Sequence, residues 1–428
     1  MIAHAPRPSD DPDTIDIART HHAAPARTRS ACEAAIAFGV TLNDLAPHPP
    51  EPARFRLSLR ARETTLVVGP SGSGKSTLLN DIACAAEAHG WTVVRPPTQT
   101  RGAKACVDRF KHRSITDRLR ALSDAGLAEA RKAIAPPAAL STGELERLRL
   151  ALGVAKAELL SKRRERVLLV IDELGAGLDE ATASSVACAI ARVAQRHPRV
   201  RVLVATNRAG IRADIRATQT LRLDSAGALR IDRSAPEEPA DPFVVEPAER
   251  ADLAALAHHH YRPGMPATID RVLRAVDTRT GELAGVLAVS RPTLNAGWRK
   301  AAWNGAFTHP DKRTVAKRVN EDLRTISRVI VAPPHRARGL AVRLVRTYLE
   351  KPSTRCTEAI AAMGHACPFF ERAGMTPHQA PPRARDLKLL DFFDHAGLHE
   401  RWRLATPDTA LPRAIAPAGR PAVARALS

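Results

Sequence analysis

Residues 69–77 read Gly69-Pro70-Ser71-Gly72-Ser73-Gly74-Lys75-Ser76-Thr77, a turn of the form G-x-x-x-x-G-K-[ST] set between a β-rich run, TTLVV (64–68), and the helical run STLLNDIACAAEA. Such glycines let consecutive backbone N–H groups converge on a phosphate, and the helix that follows aims the positive end of its dipole at the same point. Lys75 is then placed to reach the β- and γ-phosphates and Ser76 to ligate Mg2+. Further on, VLLVIDE (167–173) sets Asp172 and Glu173 at the C-terminal end of an apolar strand, where open α/β sheets hold their ligands. Asp172 is placed to hold the Mg2+ shell, and Glu173 to act as the general base that aligns water against the γ-phosphate. Together these residues imply binding and hydrolysis of ATP with Mg2+.

A third stretch, LSTGE (140–144), opens the helical run ELERLRLALGVAKAELL ahead of the Asp172 strand. Ser141 and Gly143 at a helix start offer a hydroxyl and bare amides to a phosphate; the same letters also spell a capping box, with Ser141 as N-cap and Glu144 at N3. With the order and spacing of the other motifs, and with Gly177-Leu178-Asp179 soon after Glu173, residues 55–232 resemble the ABC ATPase superfamily, LSTGE standing as its signature motif and Asp179 in its D-loop. The resemblance implies a homodimer in which two nucleotide domains pair head to tail around ATP, so that Ser141 and Gly143 act on the nucleotide of a second copy. Gln99, in RPPTQTRG, is the candidate for the Q-loop ligand that joins Mg2+ to the attacking water, and Phe38 or Phe55 could stack on adenine or equally serve the core. Two residues depart from the family pattern. Thr142 adds a side chain where transporters commonly carry Gly. Asn207, after the strand VLVAT, stands where the family has a switch His; an amide can hydrogen-bond a γ-phosphate but carries neither proton nor charge, so slow hydrolysis is expected.

The second half of the chain contains SRVIVAPPHRARGLAVRLVRTYLE (327–350), a strand, a tight loop and an amphipathic helix with RxxGxA at Arg336, Gly339 and Ala341. Arg338, Gly339, Leu340 and Ala341 would present successive N–H groups at a helix start to a pyrophosphate. This stretch resembles motif A of the GNAT acyltransferases, and HACPFFERAGMTP (365–377) resembles the segment that follows it in that family. The resemblance implies acetyl-CoA or another acyl-CoA as ligand. A Phe replaces the Tyr that often serves as general acid there, which leaves His365, Cys367 and Glu371 as acid–base candidates.

These groups need a parallel, doubly covered sheet to hold them, and the apolar run at 64–68, followed by helical sequence, with those at 167–171 and 200–205, each preceded by it, has that character. The expected fold is an α/β P-loop NTPase (ABC ATPase) domain followed by an α/β GNAT-like domain. The expected boundaries are a disordered start over 1–34, a nucleotide-binding domain over 35–233, a Pro-, Glu- and Asp-rich linker over 234–242, an acyltransferase-like domain over 243–405 and a disordered tail over 406–428. No stretch approaches the roughly 20 apolar residues of a membrane span, and no apolar leader opens the chain. The six cysteines form no CxxC pair. A reduced, cytoplasmic protein with no membrane partner is expected.

The formal charge of +20 favours polyanions. The segment 291–324 interleaves Trp298, Trp303 and Phe307 with Arg299, Lys300, Lys312, Arg313, Lys317 and Arg318, which suits stacking on tRNA or DNA bases, or a substrate lid whose rings are core. Three readings therefore stand: an ABC ATPase coupled to acyl transfer, a base-modifying enzyme of the kind seen in GNAT-like phage Mom proteins, and an ATP-driven regulator whose acyltransferase-like domain only binds.

Overall fold

The structure, a computed structural model, describes residues 11–19, 26–42, 44, 54–100, 102–225, 227–238, 241–262, 264–378 and 384–395; the expected tail over 406–428 lies outside them. The chain divides into one compact unit, Met1–Arg291 with Arg324–Met375, and a second, Pro292–Leu323 with Thr376–Ser428.

In the first unit, strands β1 (Thr14–Ala18), β2 (Arg54–Ser58), β3 (Thr64–Val68), β4 (Thr92–Val94), β5 (Val167–Ile171), β6 (Val200–Thr206), β7 (Gln219–Leu223) and β8 (Leu229–Arg233) alternate with helices. These helices are α1 (Arg29–Ala37), α2 (Lys75–Ala88), α3 (Ile115–Asp124), α4 (Ala130–Ile134), α5 (Thr142–Ser161) and α6 (Glu180–Arg196). Six strands form a sheet in the order β4-β5-β6-β3-β7-β8, parallel throughout except for β8. Every residue of β5 and β6 is buried, as helices on both faces require of uninterrupted apolar runs. Alternate side chains serve opposite cores. Val167, Leu169 and Ile171 pack with Leu150, Val186 and Ile190 of α5 and α6, whereas Leu168 and Val170 pack with Leu78, Leu79 and Ile82 of α2.

That second core corrects the expectation of disorder over 1–34. Thr14–Ala18 pairs antiparallel with β2, and Ile15 and Ile17 are buried under α2. Two branched side chains two residues apart fit one face of a strand, a local pattern hidden by the polar composition around it.

A second sheet in the same unit has the order β13-β12-β11-β10-β9, with β9 (Phe243–Ala248), β10 (Ile269–Asp277), β11 (Leu283–Ser290), β12 (Leu323–Val331) and β13 (Cys356–Ala359). Neighbours from β9 to β12 run antiparallel. Helix α7 (Arg250–Leu256) covers one face through Leu253 and Leu256. The second unit holds α8 (Arg299–Ala302) and α9 (Lys312–Asp322), and α10 (Leu340–Glu350) covers the other face of the sheet through Leu340, Leu344 and Tyr348.

Of the expected linker, residues 234–238 are strapped down. Ser234 N donates to Thr218 O at 3.1 Å, and Glu237 and Glu238 pair with Arg212 and Arg216 at 3.8 and 3.5 Å. The two sheets share one compact unit, and polar links join them. Ser185 Oγ donates to Pro334 O at 2.6 Å, and Arg336 pairs with Glu129 at 2.7 Å and Arg338 with Asp214 at 3.7 Å.

In the second unit, Trp303 meets Phe307 edge-on at 5.7 Å, and the Arg299 guanidinium lies 5.5 Å over the Trp298 ring. Phe307 and Arg299 are buried, so these aromatics behave as packing groups, while Lys312, Arg313, Lys317 and Arg318 of α9 are exposed. Among the described residues no helix is long and apolar enough to cross a membrane.

Candidate nucleotide site

Strand register brings the expected residues to one edge. In the parallel sheet Val68 sits opposite Thr206 and Ile171 opposite Val204. Because β6 lies between β3 and β5, Asn207 leaves the sheet between the 69–77 turn on one side and Asp172 and Glu173 on the other. Gln99 lies in the loop after β4, beside β5, exposed and without a hydrogen bond to residues 69–77 among the described residues.

The turn itself is shaped for an anion. Gly72 and Gly74 adopt left-handed φ of 79° and 87°, which turns successive amides inward ahead of α2. Gly69 is needed for another reason: a Cβ there would lie 2.6 Å from Leu223 O. Lys75 Nζ donates to Gly69 O at 2.9 Å and Pro70 O at 2.6 Å, carbonyls that a phosphate would displace as its partners. Ser73 Oγ is buried without a hydrogen-bond partner, and Ser76 is exposed at the start of α2. These features fit the phosphates of a nucleotide, with Ser76 and Asp172 to hold Mg2+.

Glu173 occupies the left-handed region at φ 51°, which is uncommon for a residue with a Cβ. Its surroundings hold it there. Asp172 Oδ1 accepts from Glu173 N at 2.9 Å, Leu174 N donates to Ala205 O at 2.9 Å, and the buried Thr206 hydroxyl donates to Leu174 O at 3.0 Å. Both carboxylates remain exposed.

Ser141, Gly143 and Asp179 make no hydrogen bond to residues 69–77 among the described residues; each serves its own segment. Ser141 caps α5 in a full capping box with Glu144, and Asp179 caps α6 by accepting from Thr182 N and Oγ1 at 2.8 and 2.7 Å. Although burial raises the Asp179 pKa, the Thr182 bonds hold it below the usual carboxylate range. Close packing joins the two segments, since a Cβ on Gly143 would lie 2.9 Å from Leu178 Cδ2.

Sequence reasoning missed the groups that tie these loops together. Glu146 of α5 accepts from Gly175 N at 3.1 Å, and burial pushes its carboxyl above the ordinary range despite that bond. Arg147 is buried and donates to Gly143 O and Gly126 O, each at 3.4 Å. Arg208 donates to Leu178 O. Arg19, from the segment expected to be disordered, donates to Gly227 O, and its Nη2 lies 3.8 Å from where a Cβ on Gly74 would stand. Glu146 and Arg208 sit within a few residues of a motif and Arg19 does not, but the partners of all three lie 29 or more residues away in sequence, so spacing carried no signal.

The loop before α10 is a second, smaller cradle. Ala337 and Gly339 take left-handed φ of 62° and 84°, and the space beside Gly339 is open, with nothing within 4 Å of a Cβ there. Leu340 and Ala341 begin α10, but Leu340 is buried. The side chains of Arg336 and Arg338 turn to Glu129 and Asp214, so only backbone amides are left to hold a pyrophosphate. One of the acid–base candidates is engaged elsewhere: Cys367 Sγ lies 3.0 Å from Ser123 Oγ, while Arg120 donates to the backbone carbonyl of His365 at 2.9 Å.

Residues 54–204 match the family model of the AAA ATPase domain. No curated protein matches the chain. Solved structures similar to it include a dimeric ATP-binding cassette in a post-hydrolysis state bound to ADP and Pi, at 20% identity, covering 42% of this chain and 88% of that one with a TM-score of 0.33. Another is cbiO1 from Clostridium perfringens, part of an ABC transporter complex, at 16% identity over 51% of this chain and 87% of that one, TM-score 0.34. With the phosphate cradle, the paired carboxylates and the parallel sheet, residues 54–204 are similar to a nucleotide-binding AAA ATPase domain of α/β fold.

Proposed function

We propose that this chain is an ATPase that works as a head-to-tail homodimer and couples ATP occupancy to a GNAT-like domain that binds acyl-CoA. Lys75 and the amides of 69–77 hold the phosphates, Ser76, Asp172 and Gln99 complete the Mg2+ shell, and Glu173 activates water. Ser141 and Gly143 of a second copy close over the γ-phosphate. Asn207 contributes a hydrogen bond without charge, which makes turnover slow. Support for the second domain comes from the order of its elements, an antiparallel meander followed by a glycine-capped amphipathic helix.

The observation that carries the coupling is the pair of ion links from the cradle loop, Arg336 to Glu129 and Arg338 to Asp214. A change on the nucleotide side therefore reaches the amides that would face the acyl-CoA pyrophosphate. The engagement of the Cys367 thiol with Ser123 of α3 favours a second reading, in which the domain binds its ligand and regulates without transferring an acyl group.

The test is isothermal titration of acetyl-CoA into the full chain, with and without MgATP, alongside Gly339→Asp. Binding that responds to MgATP and is lost in the variant is expected, and acyl transfer would then be screened on tRNA, DNA and protein acceptors. Absence of acetyl-CoA binding in the wild-type protein would sink the acyltransferase reading and leave the ATPase.

A further inference from the structure

Away from the nucleotide edge, α3, α5 and α6 enclose a cavity of about 440 Å³, within the roughly 300–1,000 Å³ of small-molecule sites. Part of its wall is apolar, from Leu150 and Val154 of α5 and Val186 and Ile190 of α6. The rest is charged in an unbalanced way. Each of its three carboxylates already has a basic partner: Glu158 has Arg113 at 2.9 Å and His197 at 3.3 Å, Asp124 has Arg196 at 3.5 Å, and Asp117 has Arg120 at 3.7 Å. Arg192 and Lys162 also line the cavity, and among the described residues neither makes a hydrogen bond or an ion pair. Arg192 is half-buried and lies in the C-terminal half of α6, which reduces the solvation of its charge.

Partly buried, uncompensated guanidinium beside an apolar wall is what an amphiphilic anion would complement. We propose that the cavity binds a small molecule with an apolar body and one carboxylate or phosphate group, the anion meeting Arg192 and the body lying along Val154 and Ile190. The cavity walls also reach the nucleotide machinery. Arg147, another lining residue, donates to Gly143 O in the LSTGE segment, and α6, which carries Arg192, begins at its cap Asp179. A bound anion that draws on Arg147 or shifts α6 would therefore change the rate of ATP hydrolysis. This regulatory half rests on the ATPase reading above; the binding half does not.

The probe is octanoate, titrated into the full chain by calorimetry, with octanol as its uncharged counterpart. Octanoate is expected to bind at least about tenfold more tightly than octanol. Arg192→Met should weaken octanoate at least about tenfold and leave octanol unchanged, Arg192→Lys should restore most of the loss, and Val154→Trp should fill the space and abolish both. Circular dichroism checks that each variant is folded, and if Val154→Trp is not, the Arg192 pair decides. No octanoate binding by the wild-type chain, or equal binding by Arg192→Met, overturns the site. Hydrolysis of ATP should change at least twofold with octanoate in the wild type and not in Arg192→Met. Unchanged hydrolysis with intact binding overturns the regulatory link alone.

Discussion

Replacing Glu146 tests whether α5 holds the segment after Glu173 through one carboxylate. Glu146→Ala removes the acceptor of the Gly175 N–H bond at 3.1 Å, and leaving a buried backbone donor unmatched costs roughly 1–3 kcal/mol. Glu146 is only half-buried and its carboxyl resists burial, which offsets part of the loss, so a net destabilisation of about 1 kcal/mol is expected. For a domain of this size that is roughly 2–4 °C in melting temperature by calorimetry. Glu146→Gln keeps an oxygen for Gly175 and should stay within about 0.5 kcal/mol of wild type. The sign of the pH dependence follows from the raised pKa. Folding binds the Glu146 proton more tightly than the unfolded chain does, so this group's contribution falls as pH rises from its ordinary 4.5 through the raised folded value. Glu146→Gln lacks that term and should gain on the wild type from about pH 4 toward pH 8. Hydrolysis should drop in Glu146→Ala, because the segment after Glu173 loses its tie to α5. Equal melting temperatures for Ala and wild type, or a Gln variant as unstable as Ala, would refute the role.

Lys75→Ala should abolish the rise in melting temperature that MgATP gives the wild type, since the ammonium group is the charge the phosphates meet. Glu173→Gln should retain that rise while turnover falls at least about 100-fold in a phosphate-release assay. Gly69→Ala places a Cβ 2.6 Å from Leu223 O and should cost toward the upper end of about 1–3 kcal/mol; Gly72→Ala, with open space but a left-handed φ of 79°, should cost about 1 kcal/mol in chemical denaturation. Cys188, pushed up to about 11 by burial and by Asp214 beside it, should not react with a thiol reagent at about pH 8, whereas exposed Cys32 and Cys84 should.

The phosphate cradle was legible because its physics is local: a strand, glycines at fixed offsets, a lysine and a helix start are all contained in 64–77. The same holds for β5 and its two carboxylates, whose apolar run and terminal charges are contiguous. Arg19 and Glu146 were not legible, since their partners Gly227 and Gly175 lie 208 and 29 residues away and nothing in the letters records that approach. β1 was lost for a different reason. Composition averaged over 1–34 hid the alternation of Ile15 and Ile17, two positions that suffice to anchor a strand on α2. The arginines of RxxGxA show the limit of motif reading: the pattern located the turn, but their side chains reach into the ATP-binding half of the unit.

That reach bears on how firmly the two sheets are held together. Arg336 and Glu129 are 12% and 22% exposed, and Arg338 and Asp214 are 5% and 15% exposed, so these pairs are screened by salt less than surface ion pairs, yet each pays desolvation. Fully reversing a two-state equilibrium takes about 5.5 kcal/mol of differential binding. Closing a second copy over ATP would act through α5, whose Ser141 end meets nucleotide in the proposed dimer and whose Arg147 bonds Gly126 O. Gly126 in turn stands close to Arg336, whose Cβ lies 3.6 Å from a Cβ built on that glycine. One helix therefore touches the proposed γ-phosphate contact, the D-loop through Glu146 and the neighbourhood of the cradle loop. A rigid helix with those three attachments cannot move at one without straining the others, and this continuity, more than either motif alone, makes coupling between the two halves physically reasonable.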